Sequence, residues 1–87
     1  MSLKERDTVT WTSQSGGFTK TKIGTILTIV PPYQSAYINI PKEERYTNRV
    51  KAQDVSNFER AIVTVPRGGK SKIVDYYIPR LSVLKKV

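Results

Sequence analysis

Lysines and arginines alternate with aromatic residues in two parts of this 87-residue chain. Basic side chains neutralise phosphate groups, and an exposed aromatic ring can stack on an unpaired base with a gain of about 1–3 kcal/mol. Nucleic-acid sites need both residue types together. The sequence therefore predicts a surface that binds DNA or RNA, and its candidate residues are Phe18, Lys20, Lys22, Arg67, Lys70, Lys72, Tyr77 and Arg80.

The charge distribution favours the same interpretation. Of the net charge of +8, residues 60–87 supply +6, because they hold seven basic side chains and one acidic side chain. Residues 16–31 supply the other +2, and the remaining segments are balanced. A clustered positive field attracts phosphate chains and speeds their encounter. A second interpretation stays open, in which the lysines only provide solubility and block pairing at strand edges.

Catalytic chemistry is poorly represented in the sequence. The chain has no cysteine and no histidine, which removes thiolate and imidazole metal ligands and the usual nucleophile arrangements. Gly69-Lys70-Ser71 resembles the end of a phosphate-binding P-loop, but Thr64 stands where that motif needs its first glycine. The seven acidic residues include no evident acid–base pair. We predict a non-enzymatic binding protein without a cofactor or a metal.

No segment reaches the ~18 consecutive apolar residues of a membrane span, and the N-terminus lacks the apolar run of a signal peptide. A chain without cysteine suits a reducing compartment. The sequence therefore predicts a cytoplasmic protein with no membrane partner. Its length predicts one domain over residues 1–87, because either half would fall near the lower limit for independent folding.

Five segments have the composition of β-strands, so we expect an all-β fold. Residues 7–12 alternate threonines with Val9 and Trp11, which predicts one buried face, and Gly16-Gly17 forms the tip of the following loop. Residues 19–30 form a long strand in which Gly24 predicts a bulge or a sharp bend. Residues 58–65 and 71–78 predict a hairpin with a basic tip, and a 3₁₀ turn over residues 79–81 precedes a closing strand over residues 82–87.

Residues 32–57 lack a sustained period and predict a long loop or insertion between the second and third strands. Within it, residues 36–40 suggest a short strand and residues 41–44 the first turn of a helix. Its tyrosines Tyr33, Tyr37 and Tyr46 fit either a lid packed on the sheet or an exposed recognition surface.

Adjacent strand residues point to opposite faces, so Tyr76 and Tyr77 cannot both face the core. We expect Tyr77 to point outwards on the face of Asp75.

The segments D-T-V-T-W (7–11), K-I-G-T-I-L (22–27) and Y-Y-I-P-R-L-S-V-L (76–84) occur in the order typical of one family. The chain resembles SH3-like small β-barrels of the KOW and Tudor kind. It is also similar to short uncharacterised proteins of phages and mobile elements, which share V-x-W-T-S-Q (9–14) and Y-x-P-R-x-S-x-L (77–84). The resemblance implies a five-stranded barrel with variable loops and leaves residues 32–57 unmatched; it implies no reaction, cofactor or ligand.

Two functions follow as expectations. The first is nucleic-acid binding through backbone electrostatics without sequence-specific base contacts. The alternative is a protein-interaction module of phage or mobile-element origin, which would grip its partner through the barrel groove or the long loop. The sequence leaves open DNA against RNA and monomer against dimer.

Overall fold

The computed structural model describes residues 3–15, 17–68 and 72–87, and for residues 13–15 and 18 it describes the backbone alone. Five β-strands are present: β1 Thr8–Ser15, β2 Phe18–Val30, β3 Arg60–Pro66, β4 Val74–Tyr77 and β5 Lys85–Lys86. Three 3₁₀ turns cover Tyr37–Asn39, Lys42–Glu44 and Leu81–Val83. The described part of the chain contains no α-helix, and none of its helical turns is long and apolar enough to cross a membrane.

The strands form one antiparallel sheet in the order β4-β3-β2-β1-β5. The prediction of an all-β fold with five strands is confirmed. β5 is shorter than predicted, because residues 81–83 turn before it and only two residues pair with β1. The two outer strands, β4 and β5, are not neighbours in the strand order, so the sheet is open.

The sheet curls strongly around its inner face. Trp11 on β1 and Tyr77 on β4 are separated by two intervening strands, which in a flat sheet would place them about 14 Å apart. Their ring centroids instead lie 5.8 Å apart in an edge-to-face arrangement. This contact closes over a core cluster that includes Val9, Ile26 and Val63.

Gly24 permits the close approach of β2 and β3 at the bend. A Cβ atom at this position would lie 2.6 Å from the Thr64 carbonyl oxygen and 2.6 Å from a Val63 methyl group. The bulge predicted at Gly24 lies a few residues later, because the register of the pairing between β2 and β3 shifts between Ile26 and Thr28. Gly24 is needed because any side chain there would occupy space that β3 fills.

β3 is buried on both faces. Ala61 and Val63 belong to the inner cluster, whereas Ile62, which points the other way, belongs to a second cluster on the outer face. All three side chains have no exposed surface. The second cluster consists of Val30, Ala36, Ile40, Ile62, Tyr76 and Ile78.

The chain between β2 and β3 supplies the cover for that outer face, as the lid interpretation predicts. Ala36 and Ile40 are buried there, and the Tyr37 hydroxyl donates a hydrogen bond of 2.6 Å to the Ala52 carbonyl oxygen. Tyr33 and Tyr46 remain 74% and 87% exposed, so only part of the tyrosine set serves the lid.

The two local predictions within this segment have different outcomes. A strand over residues 36–40 is wrong, because Tyr37–Asn39 forms a 3₁₀ turn whose buried neighbours pack on the sheet. The helical turn after Pro41 is confirmed as the 3₁₀ turn Lys42–Glu44.

A polar network fastens the lid to β4. The Tyr76 hydroxyl donates a hydrogen bond of 2.6 Å to Glu44, which also pairs with Arg49. The Tyr76 amide donates to the Arg49 carbonyl oxygen, and the Lys51 amide donates to the Tyr76 carbonyl oxygen. Residues 49–51 therefore occupy the outer edge of β4 and satisfy backbone groups that would otherwise be open to another strand.

Gly24→Ala is expected to lower the free energy of unfolding by about 1–3 kcal/mol, because the methyl group would overpack the contact with β3. Urea unfolding followed by Trp11 fluorescence measures this change. Thr25→Val, at the next and exposed position, is the control and should change stability by less than about 0.5 kcal/mol. Equal effects of the two substitutions would contradict the close approach at Gly24.

The Tyr76–Glu44 hydrogen bond predicts a pH dependence of stability at both ends of the scale. Burial and the bond to Glu44 raise the pKa of Tyr76 from 10.0 to about 12, so its stabilising contribution is complete below pH 10.0 and is lost towards pH 12. The same bond lowers the pKa of Glu44 below 4.5, so the contribution of Glu44 is present above pH 4.5 and is lost as the solution becomes more acidic.

Tyr76→Phe should lower the free energy of unfolding by about 1–2 kcal/mol at pH 7, because Glu44 loses a donor. The difference between the original protein and the variant should shrink as the pH rises from 10 towards 12. Tyr33→Phe, on an exposed ring, is the control and should leave stability at pH 7 unchanged. A difference between the original protein and Tyr76→Phe that stays constant up to pH 12 would contradict this role.

Candidate nucleic-acid interface

The two hairpins of the sheet place Lys20, Lys22, Arg67 and Lys72 at the same end of the molecule. β1 and β2 join through Gly17, whose φ of 84° suits a residue without a Cβ, and Ser15 lies opposite Phe18. β3 and β4 join beyond Arg67, whose amide donates a hydrogen bond to the Ile73 carbonyl oxygen. In an antiparallel order of β1 to β4, both of these turns lie at one end of the sheet.

Lys20 and Lys22 lie on the inner side of β2 near that end. Lys22 is directly opposite Trp11 and Lys20 is opposite Ser13, so both lysines share the face of the tryptophan. The Lys22 ammonium group lies 4.6 Å from the centroid of the Tyr77 ring, and this cation–π contact holds it at the rim of the curled sheet. Lys20, two residue pairs closer to the turn, is exposed.

Arg67 is less available than the sequence suggested. Its guanidinium group donates to the Asp75 carboxylate across the hairpin at 3.0–3.3 Å, and this pairing raises the pKa of Arg67. Lys72 lies in the same hairpin, is exposed and forms no ion pair with a described carboxylate. The hairpin charge is therefore reduced at Arg67 and retained at Lys72.

The prediction that Tyr77 points outwards is wrong. It shares a face with Asp75, as expected, but this is the inner face, where the ring packs against Trp11 and is half-buried. Tyr76 is buried beneath the lid. The alternation of side chains along the strand correctly placed the rings of Tyr76 and Tyr77 on opposite faces. It could not show which face the lid covers, because this depends on long-range packing.

Arg80 also lies away from the other predicted residues. It follows β4 at the end of the sheet opposite the two hairpin turns. There its backbone forms an isolated antiparallel β-bridge with the backbone of Arg60. Its guanidinium carbon lies 3.5 Å from the centroid of the Phe58 ring. Of the remaining candidates, the Phe18 side chain and the whole of Lys70 lie outside the described residues.

The structure thus brings Lys20, Lys22, Lys72 and Arg67 to one end of the sheet, and the Tyr77 ring contacts Lys22. We call Lys20, Lys22 and Lys72 the hairpin-end lysines. Sequence reasoning missed Phe58 and Arg60, which adjoin Arg80. The available signal for Arg60 was an arginine immediately before the apolar residues 61–63 of β3.

Most carboxylates are used inside the protein. Four of the seven acidic residues are held by internal hydrogen bonds or ion pairs: Asp7, Glu44, Asp54 and Asp75. A hydrogen bond from the Tyr37 amide holds the pKa of Asp54 below its ordinary value. These internal roles leave few acids to neutralise the surface lysines.

The described residues contain no group of three or more histidine, cysteine, aspartate or glutamate side chains able to hold a metal ion. A groove of about 780 Å³ is lined by Leu3, Ile29, Leu81 and Leu84 with two charged residues at its sides, and it lies away from the hairpin-end lysines.

The arrangement at the hairpin end can bind anions by electrostatics and offers an aromatic edge at Tyr77. Among its described side chains, it places no nucleophile beside a base and no acid–base pair in a cleft. The chain matches no protein-family model, no curated protein and no solved structure.

Proposed function

We propose that this protein is a small non-enzymatic module that binds nucleic acid through the phosphate backbone at the hairpin end of its sheet. The hairpin-end lysines supply the positive charge. Arg67 adds the part of its charge that the ion pair with Asp75 does not neutralise. Such a surface recognises the regular spacing of phosphates and does not read base edges.

Lys20, Lys22 and Lys72 lie at one end of the sheet without a carboxylate within 4.0 Å among the described residues. Lysines that served only solubility would be spread over the surface and interspersed with acids. A group of unpaired lysines beside two turns is instead what contact with a polyanion requires.

The curled sheet itself supports a finer proposal, that the fold is an SH3-like barrel of the KOW and Tudor kind. β5 returns to pair with β1, and the 3₁₀ turn Leu81–Val83 comes just before it, as the family pattern implies. The contact between Trp11 and Tyr77 gives the sheet the curvature of a small barrel.

Fluorescence-anisotropy titrations with labelled single- and double-stranded DNA and RNA, at about 50 and about 200 mM salt, test the proposed function. Binding should weaken steeply with salt. Substituting all three hairpin-end lysines by glutamine should weaken binding by about tenfold or more at the lower salt concentration, and should make the salt dependence shallower by about 0.7–0.9 per lost contact.

Lys4, Lys42 and Lys51 provide the matched control, since they are exposed and their replacement by glutamine removes the same charge. This control should bind nearly as well as the original protein. Equal losses from the two triple variants would show that net charge acts without a defined site, and the absence of binding at the lower salt concentration would contradict nucleic-acid binding altogether.

Asp75→Asn makes a prediction of opposite sign. It removes the carboxylate that pairs with Arg67, so affinity for DNA should increase and the salt dependence should become steeper by about 0.9 if Arg67 gains one phosphate contact. The same anisotropy assay measures both quantities. Glu43→Gln, which changes the net charge equally in the lid, should have a smaller effect. Equal gains would contradict the role assigned to the Arg67–Asp75 pair.

The large groove favours a second candidate function, protein interaction. Its apolar lining from Leu3, Ile29, Leu81 and Leu84 suits an apolar segment of a protein partner better than a phosphate chain. This candidate predicts binding that responds little to salt and survives removal of the hairpin-end lysines.

A further inference from the structure

A second basic site lies at the opposite end of the sheet from the hairpin-end lysines. It is a pocket of about 270 Å³ between the start of β3 and the chain that follows β4. Its lining consists of two arginines, three uncharged polar residues and three apolar residues, and contains no acid: Ala52, Gln53, Ser56, Asn57, Phe58, Arg60, Ile78 and Arg80.

Arg60 is the central group of this pocket. The residue is only 3% exposed, although a buried guanidinium group is costly unless its charge and its donors are matched. Two of its nitrogens donate to the Gln53 and Asp54 carbonyl oxygens, at 2.9 and 2.8 Å. The third, Nε, is buried and has no hydrogen-bond partner.

No carboxylate forms an ion pair with Arg60 within the described chain. The nearest candidate, Asp54, directs its carboxylate to the Ser35 hydroxyl at 2.7 Å and the Tyr37 amide at 2.8 Å. Burial consequently lowers the pKa of Arg60, with only partial compensation from Asp54. A buried cation that lacks a full counter-charge would be stabilised by an anion from outside.

Arg80 supplies the second cation, together with a flat surface. Its guanidinium group stacks on the Phe58 ring at 3.5 Å, and both residues are exposed. Stacking fixes the orientation of the guanidinium plane, which can donate two parallel hydrogen bonds to a carboxylate or a phosphate. The outer face of that plane can also accept a planar ring.

We propose that this pocket binds an oxyanion, a carboxylate or a phosphate group attached to a planar ring, between Arg60 and Arg80. The two guanidinium groups take the charge, and the ring lies against Arg80 on its support from Phe58. The size of the pocket suits a compound of one or two rings and is below the range typical of larger ligands. This site and the hairpin-end lysines are independent of each other.

Isothermal titration calorimetry with benzoate, phenyl phosphate and adenosine monophosphate tests the proposal, with benzamide as the neutral analogue and inorganic phosphate as the anion without a ring. At least one ring-bearing anion should bind with a dissociation constant of about 1 mM or tighter. Benzamide and inorganic phosphate should each bind at least about tenfold more weakly than that anion, because each lacks one of the two recognised features. Comparison of benzoate with phenyl phosphate also shows whether the pocket prefers a carboxylate or a phosphate.

Arg80→Gln and Phe58→Leu alter exposed side chains, so both variants are expected to fold. Each should weaken binding, and Arg80→Gln by about tenfold or more because a bidentate charged contact is lost. Lys85→Gln removes the same charge elsewhere and should have no effect. Variants that lack the hairpin-end lysines should bind the small anion normally, which separates this proposal from nucleic-acid binding.

NMR spectra of the arginine Nε–Hε groups supply a second measurement. The Arg60 signal should shift on addition of the anion that binds, whereas the Arg67 signal should remain in place. Three results would overturn the proposal: no ring-bearing anion binds at millimolar concentration, benzamide binds as well as benzoate, or Arg80→Gln binds as well as the original protein.

Discussion

Ala61, Ile62 and Val63 are consecutive and fully buried, yet successive side chains of a strand point to opposite sides. β3 must therefore be covered on both faces. The curled sheet covers one face through Trp11 and its neighbours, and the segment between β2 and β3 covers the other. The segment between β2 and β3 is thus part of the hydrophobic core. It stays folded against the sheet because its buried residues cover the outer face of β3.

The same requirement determines where charge is found. Fastening the lid uses Glu44 and Asp54, and bracing the hairpin uses Asp75, so these acids hold backbone amides, hydroxyls and arginines inside the structure. Among the described lysines, Lys22 contacts the Tyr77 ring and Lys86 pairs with Asp7, and the others form no ion pair with a described carboxylate. The positive character of the hairpin end follows from this division together with the grouping of Lys20, Lys22 and Lys72 there.

Much of the fold could be predicted because it depends on local patterns. The alternation around Val9 and Trp11, the glycines at the first turn and the prolines that end β2 gave the strands and their order along the chain. The bulge could not be located, since Gly24 serves contact with β3 and the shift in register occurs a few residues later. A glycine within a strand indicates a bulge, a bend or a close contact with another backbone, but it does not distinguish among them.

The candidate site was predictable only in part, for a related physical reason. Residue type identified the lysines, but the partners of Arg67 and Arg80 lie across a hairpin or on another segment. The position of Tyr77 depends on which face the lid occupies. Such relationships are set by tertiary packing, and a single sequence does not display them.

Chemical-shift mapping would show whether nucleic acid contacts the hairpin end of the sheet. Backbone amide spectra of the labelled protein would be recorded during titration with a short oligonucleotide. We expect the shifts to concentrate on residues 19–22 and 72–77, while the lid and the groove near Leu81 remain unchanged. Shifts centred on that groove, or spread evenly over all exposed lysines, would contradict it.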